Sequence, residues 1–71
     1  MDAAELLRKI RKYAKARHLL CVLDTSQGKG GHAMLYLGQR RTILPMHAGR
    51  EIGKGLLHAI LKDLGLTIRD L

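Results

Sequence analysis

The residues best suited to chemistry are grouped at His32, which follows the run Gly28-Lys29-Gly30-Gly31. Glycines let a backbone and a phosphate approach closely, and Lys29 adds a positive charge. A histidine side chain exchanges protons near neutral pH, so an imidazole here could transfer a proton to or from a ribose hydroxyl or a leaving oxygen. A single histidine beside glycines is a weak signal, and on spacing alone an ordinary histidine at a strand end is the simpler interpretation.

The other three histidines have less distinctive surroundings. His47 follows Pro45-Met46, where it could shape a site or orient a phosphate, and a structural role fits equally well. His58 lies off the apolar stripe of the last predicted helix, which predicts a solvated surface residue. His18 follows the first predicted helix, where it would favour the C-terminal end of the helix dipole.

The sequence does not predict a metal or cofactor site. His18 and Cys21 have a ligand-like spacing, but no second pair completes a zinc site. The acidic residues form no cluster typical of a magnesium-dependent nuclease, and the glycine run lacks the spacing of a P-loop. Cys21 stands in an apolar run, which favours a buried thiol acting as a small apolar side chain. Any catalysis would therefore work without metal.

Charge is the most informative property of the composition. Thirteen Lys and Arg residues against six Asp and Glu residues give a net charge of +7 to 71 residues. Such an excess favours a polyanionic partner, most commonly nucleic acid, although a generally solvated basic surface remains an alternative. A membrane is disfavoured, because the chain has no Trp or Phe and no apolar run of about 20 residues. The lone cysteine and the absence of a signal-peptide pattern predict one cytoplasmic domain over residues 1–71.

Apolar periodicity predicts the order α-β-β-β-α. Asp2 and Glu5 form a capping box at the start of the first helix, and Gly38-Gln39 suits a tight hairpin turn. The predicted elements are a helix to about residue 17, strands over 19–24, 32–37 and 40–44, and a helix from 53 or 54 to 64. This order indicates an α+β fold, a three-stranded antiparallel sheet with two helices on one face.

Pairing through the Gly38-Gln39 turn predicts which side chains share a face of the sheet. The face expected to receive the helices carries Ala33, Leu35, Leu37 and Leu44. The matching stripe on the last helix consists of Leu56, Leu57, Ile60, Leu61 and Leu64. The opposite face would carry His32, Met34, Tyr36, Arg41 and Ile43. No helix is left to cover that second face, so the sequence predicts a binding surface there.

Three short motifs, in this order, resemble the HicA toxin family over essentially the whole chain. They are Gly30-Gly31-His32, Pro45-Met46-His47 and the segment from Gly55 to Thr67. The family pattern has a Gly-Ser/Thr-His step, a Pro-x-His strand end, and a Gly-x-x-x-x-Ile-Leu-Lys helix followed by Gly-Leu-Ser or Gly-Leu-Thr. Gly31 departs from it by replacing the Ser or Thr, and the first strand and its loop lack the aromatic and Gln/Arg-rich features of relatives.

The resemblance implies a fold like a double-stranded-RNA-binding domain and a type II toxin that cuts mRNA independently of the ribosome. It implies His32 as the single catalytic histidine, a HicB antitoxin as partner, and a toxin that is monomeric alone. The residues then expected to bind RNA are Lys29, Gly30, Gly31, Arg40, Arg41 and His47. The residues then expected to contact the antitoxin are Met34, Tyr36 and Ile43.

Other classes of protein remain open at this point. A non-catalytic RNA-binding module of the same fold would need basic residues at the start of the last helix, where only Lys54 and the preceding Arg50 stand. A small DNA-binding domain is disfavoured because no helix-turn-helix signature is present. A purely structural partner protein would not need Lys29 and His32 together.

Overall fold

The computed structural model describes residues 1–26, 31–47 and 49–71 of the chain. The elements, in order, are α1 (Ala3–Ala16), β1 (Cys21–Asp24), β2 (His32–Leu37), β3 (Arg40–Pro45), α2 (Lys54–Asp63) and a 3₁₀ helix (Ile68–Asp70). The predicted α+β order is confirmed, and the 3₁₀ helix is an addition that the sequence analysis did not foresee. Neither α-helix of the described ranges combines the length and apolar character needed to cross a bilayer.

The three strands form one antiparallel sheet in the order β1-β2-β3, with β2 in the centre. The β2–β3 hairpin turns at Gly38, whose φ of 59° is open to glycine at little cost. Ala33 lies opposite Leu44 and Met34 opposite Ile43, so the predicted register is confirmed. Alternate side chains of the hairpin therefore point to opposite faces of the sheet.

One face of the sheet and both helices enclose the hydrophobic core. α1 packs against β1, and α2 packs against β3. Among the described residues, the largest fully buried side chains are Leu6, Ile10, Leu35, Leu44, Ile60 and Leu61. Thr42 is also buried on this face, where its hydroxyl donates a 2.8 Å hydrogen bond to the Asp63 carboxylate and so links β3 to the end of α2.

Two parts of the predicted core differ from the structure. Leu56 was expected in the buried stripe of α2 but is 47% exposed, because it stands at the edge of the stripe in the first helical turn. Ile52 and Leu66 are buried although they lie in the segments on either side of α2. Helical periodicity covers neither position, so the pattern could not identify them.

The first helix ends in a left-handed turn at His18, whose φ is 57°. The Leu19 N–H donates to the Ala14 carbonyl at 2.9 Å, and the His18 N–H donates to the Lys15 carbonyl at 3.3 Å. These two bonds form a Schellman cap. Because Leu19 is used by the cap, β1 begins at Cys21, two residues later than predicted.

The second helix ends in the same way at Gly65, which has a φ of 73°. The Leu66 N–H reaches the Leu61 carbonyl at 2.8 Å, and the Gly65 N–H reaches the Lys62 carbonyl at 3.0 Å. A β-carbon on Gly65 would lie 2.8 Å from Nε of Arg40, so the glycine also makes room for that guanidinium.

We expect His18→Gly to stabilise the protein by about 0.5–1 kcal/mol, because it removes left-handed strain that outweighs the extra chain entropy of glycine. His18→Ala is the matched control, since it removes the imidazole but keeps the β-carbon that causes the strain. Urea unfolding followed by circular dichroism measures both variants. Equal stability of His18→Gly and His18→Ala would contradict the backbone explanation.

Candidate functional site

Two histidines lie together at the end of the sheet farthest from the hairpin turn. His32 opens β2 and is paired with Pro45, and His47 stands two residues beyond Pro45. The centres of the two imidazole rings are 5.9 Å apart, and the ring planes are nearly perpendicular, at 82°. Both side chains are exposed. The structure thus brings together the two histidines that the sequence motifs singled out.

The His47 ring packs against the backbone of Gly31. Gly31 has a φ of 87°, and its carbonyl accepts a hydrogen bond from the Met46 N–H. A β-carbon added to Gly31 would lie 3.0 Å from Cε1 of the His47 ring and 3.2 Å from Nδ1. The ring therefore occupies the space that a side chain at position 31 would require, at the position where the family pattern has Ser or Thr.

The segment after His47 is anchored to the start of α1. The His47 carbonyl accepts a 3.2 Å hydrogen bond from the Arg50 N–H, and the Ile52 N–H donates to the Met1 carbonyl at 2.9 Å. Asp2 and Glu51 form an antiparallel bridge beside it, and the Ile52 side chain is buried. These contacts tie the loop that carries His47 to the core.

The sheet face that continues from His32 is not covered by a helix, as predicted. Met34 and Tyr36 are half-buried, and Ile43 is 57% exposed. β1 extends this surface with Val22 opposite Tyr36 and Asp24 opposite Met34, two positions that the sequence analysis did not include. Hydrogen bonds from the hydroxyl and the backbone N–H of Ser26 lower the pKa of the Asp24 carboxyl.

The two predicted arginines lie away from the histidine pair. Arg41 is opposite Tyr36 on the open face. Tyr36 is four residues along β2 from His32, which separates the α-carbons of these two residues by about 13 Å at the usual rise of a strand. Arg40 is opposite Leu37 at the turn end, and its guanidinium lies over Gly65 beside the end of α2. Lys29 and Gly30 lie outside the described residues. RNA binding by all four stays a prediction.

A cationic groove on α1 went unassigned in the sequence analysis. It has a volume of about 600 Å³ and lies between α1 and the C-terminal residues Asp70 and Leu71. The Arg17 guanidinium stacks 4.6 Å from the centre of the Tyr13 ring. The basic residues that line the groove are Arg8, Lys9, Lys12 and Arg17. The charge of this helix was evident in the sequence, but the groove needs the C-terminal segment as its second wall.

Within residues 1–26, 31–47 and 49–71, no group of three or more His, Cys, Asp or Glu side chains is placed to hold a metal ion. Cys21 is partly buried against the core. This burial raises the pKa of its thiol, which disfavours the reactive thiolate.

Comparison with known proteins places this chain in a family. Residues 17–66 match the family described as HicA toxin of bacterial toxin–antitoxin systems. The chain is 37% identical over 57 residues to "Probable mRNA interferase HicA" of Pseudomonas fluorescens (strain Pf0-1), covering 78% of this chain and 95% of that protein. No solved structure matches the chain. The protein is thus a toxin of the bacterial toxin–antitoxin class. It belongs to the HicA toxin family, as the motifs predicted.

We expect Gly31→Ala to lower the free energy of unfolding by about 1–2 kcal/mol, because it places a β-carbon on a residue with left-handed φ. The same β-carbon should displace the His47 ring, which NMR would detect as a shift of its Cε1–H signal. Gly55→Ala is the matched control, since nothing lies within 4 Å of a β-carbon there and alanine favours the α2 helix. A Gly31→Ala protein of unchanged stability and unchanged His47 signal would contradict the explanation that Gly31 positions the His47 ring.

Proposed function

We propose that the protein is a metal-independent endoribonuclease that cuts mRNA in the cytoplasm as the toxin of a type II toxin–antitoxin system. The observation that carries the proposal is the exposed His32 at the open end of an uncovered sheet face, in a chain of the HicA family. The name of the Pseudomonas relative, a probable mRNA interferase, supports the same activity. The net charge of +7 suits a polyanionic substrate.

The chemistry that suits this site is attack of a ribose 2′-hydroxyl on the adjacent phosphate. An imidazole in contact with the reacting oxygens can transfer the proton that this step requires. Positive charge from Lys29 and Arg41 would then hold the RNA backbone and fix its position along the open face. The distance of Arg41 from His32 favours contact with a neighbouring phosphate over contact with the scissile one.

The α1 groove favours a second candidate function. Its four basic residues could hold an RNA backbone without cleaving it, as in a non-catalytic module of the same fold. Such a module has no need of His32. The effect of replacing this residue therefore separates the two candidates.

We expect His32→Ala to reduce the cleavage rate of a fluorescent single-stranded RNA by about 100-fold or more, which is the usual loss on removing a proton-transfer group. The rate should not change when a chelator is added, because no metal takes part. His58→Ala, at an exposed histidine of α2, is the matched control and should cleave at the full rate. Equal cleavage by His32→Ala, or loss of activity on chelation, would contradict the proposal.

We further propose that the open face is where a HicB antitoxin binds the toxin, which is monomeric alone. Met34, Tyr36 and Ile43 form a continuous surface with partly apolar character, next to His32. A partner that covers this surface would also block RNA from the histidines. Apolar side chains that are this exposed gain free energy when a partner removes them from water.

Ile43→Asp should weaken antitoxin binding by about tenfold or more, because it places a carboxylate in an apolar contact. Cleavage by the free toxin should change less, since the Ile43 side chain carries no group that could transfer a proton. Ile68→Asp is the matched control, because Ile68 is 47% exposed but stands on the 3₁₀ helix away from the sheet. Calorimetric titration with the antitoxin tests both variants, and equal affinities would place the antitoxin elsewhere.

A further inference from the structure

We propose that His47 is a second catalytic residue, which transfers a proton at one reacting oxygen of the scissile phosphate while His32 serves the other. This inference rests on the proposed ribonuclease function and replaces its single histidine with a pair. It begins from the 5.9 Å between the two ring centres and the nearly perpendicular planes of the rings. This is an edge-to-face contact between two exposed side chains at the end of the sheet farthest from the hairpin turn.

The edge-to-face contact of the rings suits a phosphate that lies across both of them. Cleavage of RNA by its own 2′-hydroxyl requires a base at the attacking oxygen and an acid at the leaving oxygen. These two oxygens lie on opposite sides of phosphorus when the attack is in line. Each imidazole nitrogen needs to approach its oxygen to about 2.8 Å. Two rings in contact range of one phosphate can meet both requirements, whereas one ring must serve both oxygens in turn.

The fixed position of His47 is the second argument. Its backbone is held on both sides, by the Met46–Gly31 hydrogen bond and by the Arg50 N–H on its own carbonyl. Its ring rests on a glycine that leaves no β-carbon in the way. The side chain is nonetheless exposed, so burial of apolar surface does not explain this placement. A solvent-facing ring on a backbone held in this way is available to a ligand beside His32.

The reaction balances with these two groups alone. The neutral imidazole of one histidine takes the 2′-hydroxyl proton as the 2′-oxygen forms a bond to phosphorus. The bond from phosphorus to the 5′-oxygen breaks, and the protonated imidazole of the other histidine gives its proton to that oxygen. The products are a 2′,3′-cyclic phosphate and a 5′-hydroxyl. The two histidines exchange their protonation states, and solvent restores them.

The decisive experiment compares two short RNA substrates, one natural and one with sulfur in place of the bridging 5′-oxygen at the cut. A thiolate leaves without protonation, so the sulfur substrate no longer needs the acid but still needs the base. We expect His32→Ala and His47→Phe each to slow cleavage of the natural RNA by about 100-fold. The sulfur substrate should restore one of these variants to within about tenfold of the unsubstituted protein and leave the other slow, which assigns the acid and the base.

The choice of variants separates proton transfer from packing. His47→Phe keeps a flat ring on Gly31 but cannot carry a proton, and His47→Ala checks that any loss does not come from the added bulk. The pH–rate profile of the natural reaction should have two limbs, and each histidine variant should lose one of them. His58→Ala should keep both limbs and the full rate, and thermal unfolding verifies that every variant is folded.

The outcomes distinguish a failure of the histidine-pair proposal from a failure of the proposed ribonuclease function. Full-rate cleavage by His47→Phe with both limbs intact would overturn the pair but leave the ribonuclease with His32 in place. Equal slowing of both histidine variants on both substrates would also overturn it, because neither histidine would then act as the acid. Full-rate cleavage by His32→Ala would instead remove the proposed function on which the pair depends.

Discussion

The antiparallel pairing of β2 with β3 is the constraint on which the rest of the structure depends. Burial of Leu35 and Leu44 on one face determines the register of the hairpin, because a shift of one residue would turn these side chains into solvent. The same register directs His32, Met34 and Ile43 to the uncovered face. The helices therefore contribute to the site indirectly. They make one register far more stable than any other, and the position of the histidine follows from it.

The sequence predicted the sheet well because the residues that define each strand and turn are close together in the chain. The apolar run before the Gly38 turn predicted the two ends of β2 correctly, and pairing through that turn predicted which face is open. Patterns within one helix or strand predicted side-chain positions less well where two segments that are distant in sequence meet. Leu56 fits the helical stripe but lies at its exposed edge, and Arg40 stands near Arg41 in sequence yet packs over Gly65 beside α2. The roles of Ile52 and Leu66 in the core also depend on tertiary contacts.

The sequence predicted the histidine pair only in part. The motif Pro45-Met46-His47 made His47 a candidate, but its ring is placed by the left-handed φ of Gly31 and by one hydrogen bond between strand ends. Replacement of the family's Ser or Thr by glycine looks like a loss when only side-chain hydrogen bonds are considered. In the folded protein, the same replacement makes space for a ring beside His32.

The contact between Met1 and Ile52 has a consequence for the cooperativity of unfolding. The hydrogen bond and the neighbouring Asp2–Glu51 bridge join the start of the chain to a segment that follows all three strands. Closing so long a loop costs entropy that only the completed core repays. Fraying of the first two residues would therefore also release the backbone of Glu51 and Ile52, on the segment that follows His47. The start of α1 and the histidine site should consequently lose their structure together, as one cooperative unit.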